Sequence, residues 1–162
     1  MDVTIIGNQS FTNRQITSVN IPNSVHTIQY RAFANNQLTS IIIPTSVTNI
    51  QQQAFENNQL SSLVIPNSVT DIQNSAFWHN QLTSITIGNG LTEIGDYSFA
   101  FNQLTSVTIP TNITSIGWSA FDHNQLTSIT IPGNVTTIHD YAFDNNNISS
   151  LTLENGITTI RA

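Results

Sequence analysis

"LTSIIIPTSVTNIQQQAF", residues 38–55, is the stretch on which the fold of this chain turns. It holds an apolar run from Ile41 to Ile43, a proline-led turn, and then Val47, Ile50, Ala54 and Phe55 on polar ground. Twenty-two residues later it returns as "LSSLVIPNSVTDIQNSAF", residues 60–77. With the residue before each such stretch taken as position 0, the register runs Gln15, Gln37, Gln59, Gln81, Gln103, Gln125, Asn147, always 22 apart and without an insertion. A fixed period of roughly 20–29 residues with regularly placed aliphatics is the signature of a solenoid.

The columns define one coil. Position 1 is Leu or Ile, position 4 runs from Val19 to Leu151, and position 6 is Ile except for Leu153. Positions 4 and 6 alternate with polar neighbours, the period of a half-buried strand. Pro, Gly, Asn and Ser cluster at positions 7 to 9 and mark a turn. Position 10 is again aliphatic, position 13 is Ile, position 17 is Ala or Ser, and position 18 is Phe in every copy from Phe11 to Phe143. The spacing of 13, 17 and 18 predicts a short helical or 3₁₀ turn that points all three side chains inward. Position 21 is Asn from Asn36 to Asn146, with Arg14 in the first copy. An Asn at a buried corner can bond the backbone of its own coil and the next. A single coil cannot enclose these side chains, so repetition exists to let neighbours cover them.

Composition narrows the function classes. Only 7% of residues are charged, against roughly 25% in ordinary globular domains, and the net charge is −6. Three scattered bases, Arg14, Arg31 and Arg161, cannot form the cationic face that nucleic acid or a polybasic membrane contact requires. There is no cysteine, hence no disulfide or thiolate metal site. No apolar run approaches the roughly 20 residues that span a bilayer, and neither a basic n-region nor a long apolar h-region is visible after Met1. No membrane insertion is expected.

The pattern resembles the BspA-like class of bacterial leucine-rich repeats, L-x-x-I-x-L-P-x-x-(V/L)-x-x-I-x-x-x-A-F. In one coil the match is carried by Leu38, Ile41, Ile43, Pro44, Val47, Ile50, Ala54 and Phe55. The family repeat is commonly slightly longer, and here the stretch between Phe and the next Leu is trimmed. The expected fold is a leucine-rich-repeat solenoid with one parallel β-strand per coil, short helical or 3₁₀ turns on the opposite side, and a single right-handed superhelix. It is expected as one repeat domain over residues 1–162, with a partial coil at 1–14, six full coils at 15–146 and a partial last coil at 147–162. Neither end carries a polar cap, so end-to-end self-association is an expectation too.

Chemistry is sparse. His79 and His123 share position 20 two coils apart, about 10 Å at a strand spacing of about 4.8 Å, too far for one metal ion. No P-loop, GxGxxG or HExxH is present, and no converging nucleophile and base stand out. Neither an enzyme, a cofactor nor a metal site is expected.

Two surfaces remain. Variation concentrates on positions 14 to 20, where Trp78, His79, Tyr97, Phe101, Trp118, His123 and Tyr141 form a candidate ligand-binding edge; aromatics mixed with polar groups suit protein or carbohydrate contacts. The expected concave sheet offers Ile42 and Val64, then Ser-x-Thr rows at Ser84, Thr86, Ser106, Thr108, Ser128, Thr130, Ser150 and Thr152. Those rows suit a repetitive ligand, ice included, or simply fit a sheet. What the resemblance implies is a non-catalytic adhesion module or spacer of a bacterial surface or secreted protein, binding a protein or glycan. The alternatives are an ice-binding solenoid and a self-stacking or designed consensus repeat protein.

Overall fold

A computed structural model describes residues 2–161. The chain is a stack of coils joined by parallel pairing at a constant offset of 22 residues, as in Ile6↔Ile28 and Ile50↔Ile72. Position 13 supplies the most regular ladder. Two-residue strands Ile5–Ile6, Thr27–Ile28, Asn49–Ile50 and Asp71–Ile72 form one sheet, and Glu93–Ile94, Ser115–Ile116, Thr137–Ile138 and Thr159–Ile160 form another. A second ladder uses positions 3 to 6, but only in pairs: Ser62–Val64 with Ser84–Thr86, and Ser128–Ile131 with Ser150–Leu153. Each coil thus has up to two short strands where the sequence predicts one.

Burial follows the columns. From coil to coil Leu38, Leu60, Leu82, Leu104 and Leu126 are buried at one corner, with Val47, Val69, Ile113 and Val135 at the next. The phenylalanines make a continuous column. Rings from Phe11 to Phe143 stack with centroids 5.3–5.8 Å apart and planes within 17° of parallel. That offset-stacked spacing lies inside the favourable range for aromatic pairs. Phe33, Phe55, Phe77, Phe99 and Phe121 are sealed from solvent.

Among the described residues the expected helical or 3₁₀ segment is absent, and the backbone says why. Two β-turns follow one another: in the third coil Ala54 N–H donates to Gln51 O and Glu56 N–H donates to Gln53 O. Positions 16 and 20 have φ near +50° to +60°, as at Gln53 (59°) and Asn57 (50°). A left-handed residue every fourth position cannot belong to a right-handed helix. In exchange, the amides at 16, 18 and 20 point along the stack. Gln53 donates to Asn74 O, Phe55 to Ala76 O and Asn57 to Trp78 O in the next coil. Cross-coil bonding replaces helical bonding because each coil is one strand spacing from its neighbour.

The asparagine column does what a buried corner needs. Asn80 Nδ2 donates to Phe77 O and Trp78 O of its own coil and to Phe55 O of the preceding one, while Oδ1 accepts from Leu60 N–H. Asn58, Asn102 and Asn124 repeat this pattern. The position 11 threonines also serve the stack: Thr114 Oγ1 donates to Thr92 O and Thr136 Oγ1 to Thr114 O. One buried carboxylate, Glu56, is neutralised by the Arg31 guanidinium at 2.5 Å.

Candidate functional site

The left-handed positions explain the aromatic edge. Asn13, Asn35, Asn57 and Asn145 occupy position 20 with φ between 48° and 58°, a conformation that Asn tolerates well. Three successive coils put rings there instead: His79 (55°), Phe101 (56°) and His123 (52°). Position 16 does the same with Tyr97 (55°) and Tyr141 (60°). A bulky side chain in this region is strained, and such strain concentrates at functional sites.

The rings of one row meet. His79 and Phe101 lie with centroids 6.3 Å apart, and Phe101 and His123 stack at 4.2 Å and 11°. Trp78 packs edge-on against Phe101 at 5.7 Å and tilts over His79 at 5.2 Å. His123 Nδ1–H donates to Asp122 Oδ1 at 2.9 Å, and Asn145 Nδ2 donates to the same oxygen at 3.0 Å. One face of Phe101 and one face of His123 are spent on each other, which leaves less ring face open. It is a poorer sugar-stacking platform than the sequence suggests.

A second row surrounds Trp118, which is 45% exposed. Its indole N–H donates to His139 Nδ1 at 2.9 Å. Indole nitrogen is only a donor, so that His139 nitrogen carries a lone pair and the ring's proton sits on Nε2. The Trp118 backbone N–H donates to Asp96 Oδ1 at 2.9 Å. Gly117 permits this, because a Cβ there would stand 2.6 Å from Asp96 Oδ1. Among the described residues Tyr97 and Tyr141 meet no other ring, and both side chains stand exposed. The seven edge residues are therefore one contiguous cluster (Trp78, His79, Phe101, His123), a separate Trp118, and two tyrosines beside them.

On the other surface Ser84, Thr86, Ser106, Thr108, Ser128, Thr130, Ser150 and Thr152 all face solvent. Ile42 is 83% exposed and Val64 63%. Register pairs Val64 with Thr86 and Thr130 with Thr152. The coil between them does not join in. Among the described residues, the Thr105, Val107 and Ile109 amides have no backbone partner in either neighbour. A cleft of about 400 Å³ opens where Ser106 and Thr108 face Ser128, Thr130 and Glu154. This face is therefore two separate two-stranded patches, and the uninterrupted array that an ice-binding reading rests on is missing.

Comparison with known proteins agrees with this geometry. A family description, the BspA type leucine rich repeat region, matches residues 1–103 and 92–162 in six copies. The chain belongs to the BspA-type leucine-rich repeat family. Its stack is similar to that of a leucine rich cell surface protein from Faecalibacterium prausnitzii, with TM-score 0.64 and 25% identity over 94% of this chain and 57% of that one. It is similar also to the pneumococcal vaccine antigen PcpA, with TM-score 0.73 and 21% identity over 99% of this chain and 53% of that one. The chain thus spans little more than half the length of either. No curated protein matches it in sequence.

Within the BspA-type pattern, Leu, Ile, Ala and Phe mark the core, and the edge residues fall on positions that the pattern leaves free. His139 was missed in the sequence reading, since nothing in the spacing ties position 14 of one coil to position 15 of the one before. The left-handed backbone at position 20 had a signal, four Asn at one register. Position 16 had none, because Gln, Arg, Ser and Tyr all occupy it.

Proposed function

We propose that this BspA-type chain is a non-catalytic binding module of a surface or secreted protein, and that its partner contacts the aromatic edge. One observation carries the reading. In three successive coils the chain replaces Asn with the rings of His79, Phe101 and His123, and Phe101 is a residue poorly suited to a left-handed backbone. The neighbour from Faecalibacterium prausnitzii, a cell surface protein by its description, supports the setting. The stack itself supplies rigidity: rings fixed to a column of sealed phenylalanines lose little freedom on binding.

Trp78→Ala and Trp118→Ala test this reading directly. Binding to immobilised extracellular-matrix proteins or a glycan array is expected to fall roughly tenfold or more for an aromatic anchor. Unchanged binding in both variants removes the edge from consideration. Strain gives an independent check. Tyr141→Asn is expected to leave the fold intact and raise stability by up to about 1 kcal/mol, because Asn relieves the left-handed cost and Tyr141 is 60% exposed. A loss of stability by thermal unfolding would mean that the ring is there for packing.

A further inference from the structure

Charge on the edge is distributed as unevenly as the rings. Along position 15 the last coils read Asp96, Trp118, Asp140, and along position 19 they read Asp122 and Asp144. The first coils carry at these positions only Glu56, which Arg31 already neutralises. The chain contains no lysine, and Arg161, beside Tyr141 and Asp144 in a hollow of about 300 Å³, is the nearby cation. Trp118 therefore stands between two carboxylates, each one coil away at about 4.8 Å along the stack.

These groups are held differently. The indole is oriented by its bond to His139 Nδ1, and Asp96 is fixed by the Trp118 amide and by Asn74 Nδ2 at 3.3 Å. Asp122 is buried and committed to His123 and Asn145. Asp140 has no side-chain hydrogen bond among the described residues, and Asp144 is exposed. An exposed, oriented indole flanked by carboxylates is what a guanidinium or ammonium group recognises, through cation–π attraction over the ring and charge pairing at its rim. An anionic partner meets repulsion here, and a neutral sugar can use the acids as hydrogen-bond acceptors but brings no charge to pair with them.

We infer that the partner is a polypeptide with an arginine- or lysine-rich segment, and that one of its cationic side chains seats on Trp118 between Asp96 and Asp140. This rests on the edge being the contact surface and adds the chemistry of what it contacts. The probe is an oligoarginine peptide, followed by calorimetry and by tryptophan fluorescence, with an oligoglutamate peptide and a neutral oligosaccharide as comparison arms. Oligoarginine is expected to bind, more weakly as salt rises, and oligoglutamate is not. Trp118→Ala and Asp140→Asn should each weaken oligoarginine binding by about fivefold. Glu93→Gln, which removes the same charge from an exposed site at position 12, should leave it unchanged.

Equal losses in Glu93→Gln and Asp140→Asn would overturn the inference, since attraction to net charge alone would then explain the binding. So would an absence of oligoarginine binding. If the neutral oligosaccharide binds instead and loses affinity in Trp78→Ala, the edge reading stands and the cationic partner falls. If no ligand responds to any ring of the edge, both fall together.

Discussion

Asn80→Ala is expected to destabilise the protein by about 2–4 kcal/mol, a large effect for a side chain that contributes no apolar packing. The change leaves the buried Leu60 amide without a partner and takes one of two donors from each of the carbonyls of Phe55, Phe77 and Trp78. The unsatisfied amide costs about 1–3 kcal/mol and the lost carbonyl bonds add less, since two of them, at 3.2 and 3.4 Å, lie at the weak end. Asn80→Asp separates shape from bonding. It fills the same volume and keeps an acceptor for Leu60, yet cannot donate to three carbonyls, so a comparable loss is expected. Each Phe carbonyl from Phe33 to Phe121 accepts from two successive asparagines, as Phe55 O does from Asn58 (3.2 Å) and Asn80 (3.0 Å). Asn58→Ala and Asn80→Ala should therefore be non-additive in denaturant titrations, and simple additivity would show that the column is not one network.

Phe77→Ala is expected to cost about 3–5 kcal/mol, the range for truncating a fully buried aromatic. Phe77 is sealed and stacks on Phe55 at 5.4 Å and on Phe99 at 5.8 Å, so its removal opens a gap between two rings that cross-coil hydrogen bonds hold apart. The gap cannot close by collapse without breaking the Phe55 and Phe77 amide bonds to Ala76 and Ser98. Phe11→Ala should cost far less, because Phe11 is 43% exposed and stacks on one ring. Chemical denaturation of the two variants checks the difference. Equal losses would mean that the column is not what seals the stack.

These effects explain why the fold was so legible. A 22-residue spacing with Phe, Ile and Leu at fixed positions leaves one way to bury them, and the Asn column reports the corner where backbone groups converge. What the sequence concealed is the backbone between Ile50 and Phe55. Apolar residues at i, i+4 and i+5 suit a helical turn, but the same side chains reach inward from two linked β-turns, and cross-coil bonds decide between them. That choice depends on a neighbour 22 residues away, which local spacing does not encode. The candidate site was partly legible for the same reason. Trp78, Phe101 and Trp118 stand out as departures from a repeat, whereas the Trp118–His139 bond and the pinning of Asp96 depend on residues 21 and 22 positions apart.

Native-state amide hydrogen exchange tests the central claim, that cross-coil bonding along the phenylalanine edge holds the coils together. The amides of Phe33, Phe55, Phe77, Phe99 and Phe121, each donating to the next coil at 2.8–3.0 Å, are expected to be among the slowest to exchange. Those of Thr105, Val107 and Ile109 on the interrupted hydroxyl face should exchange much faster. Phenylalanine amides that exchange as quickly as those three would contradict the account.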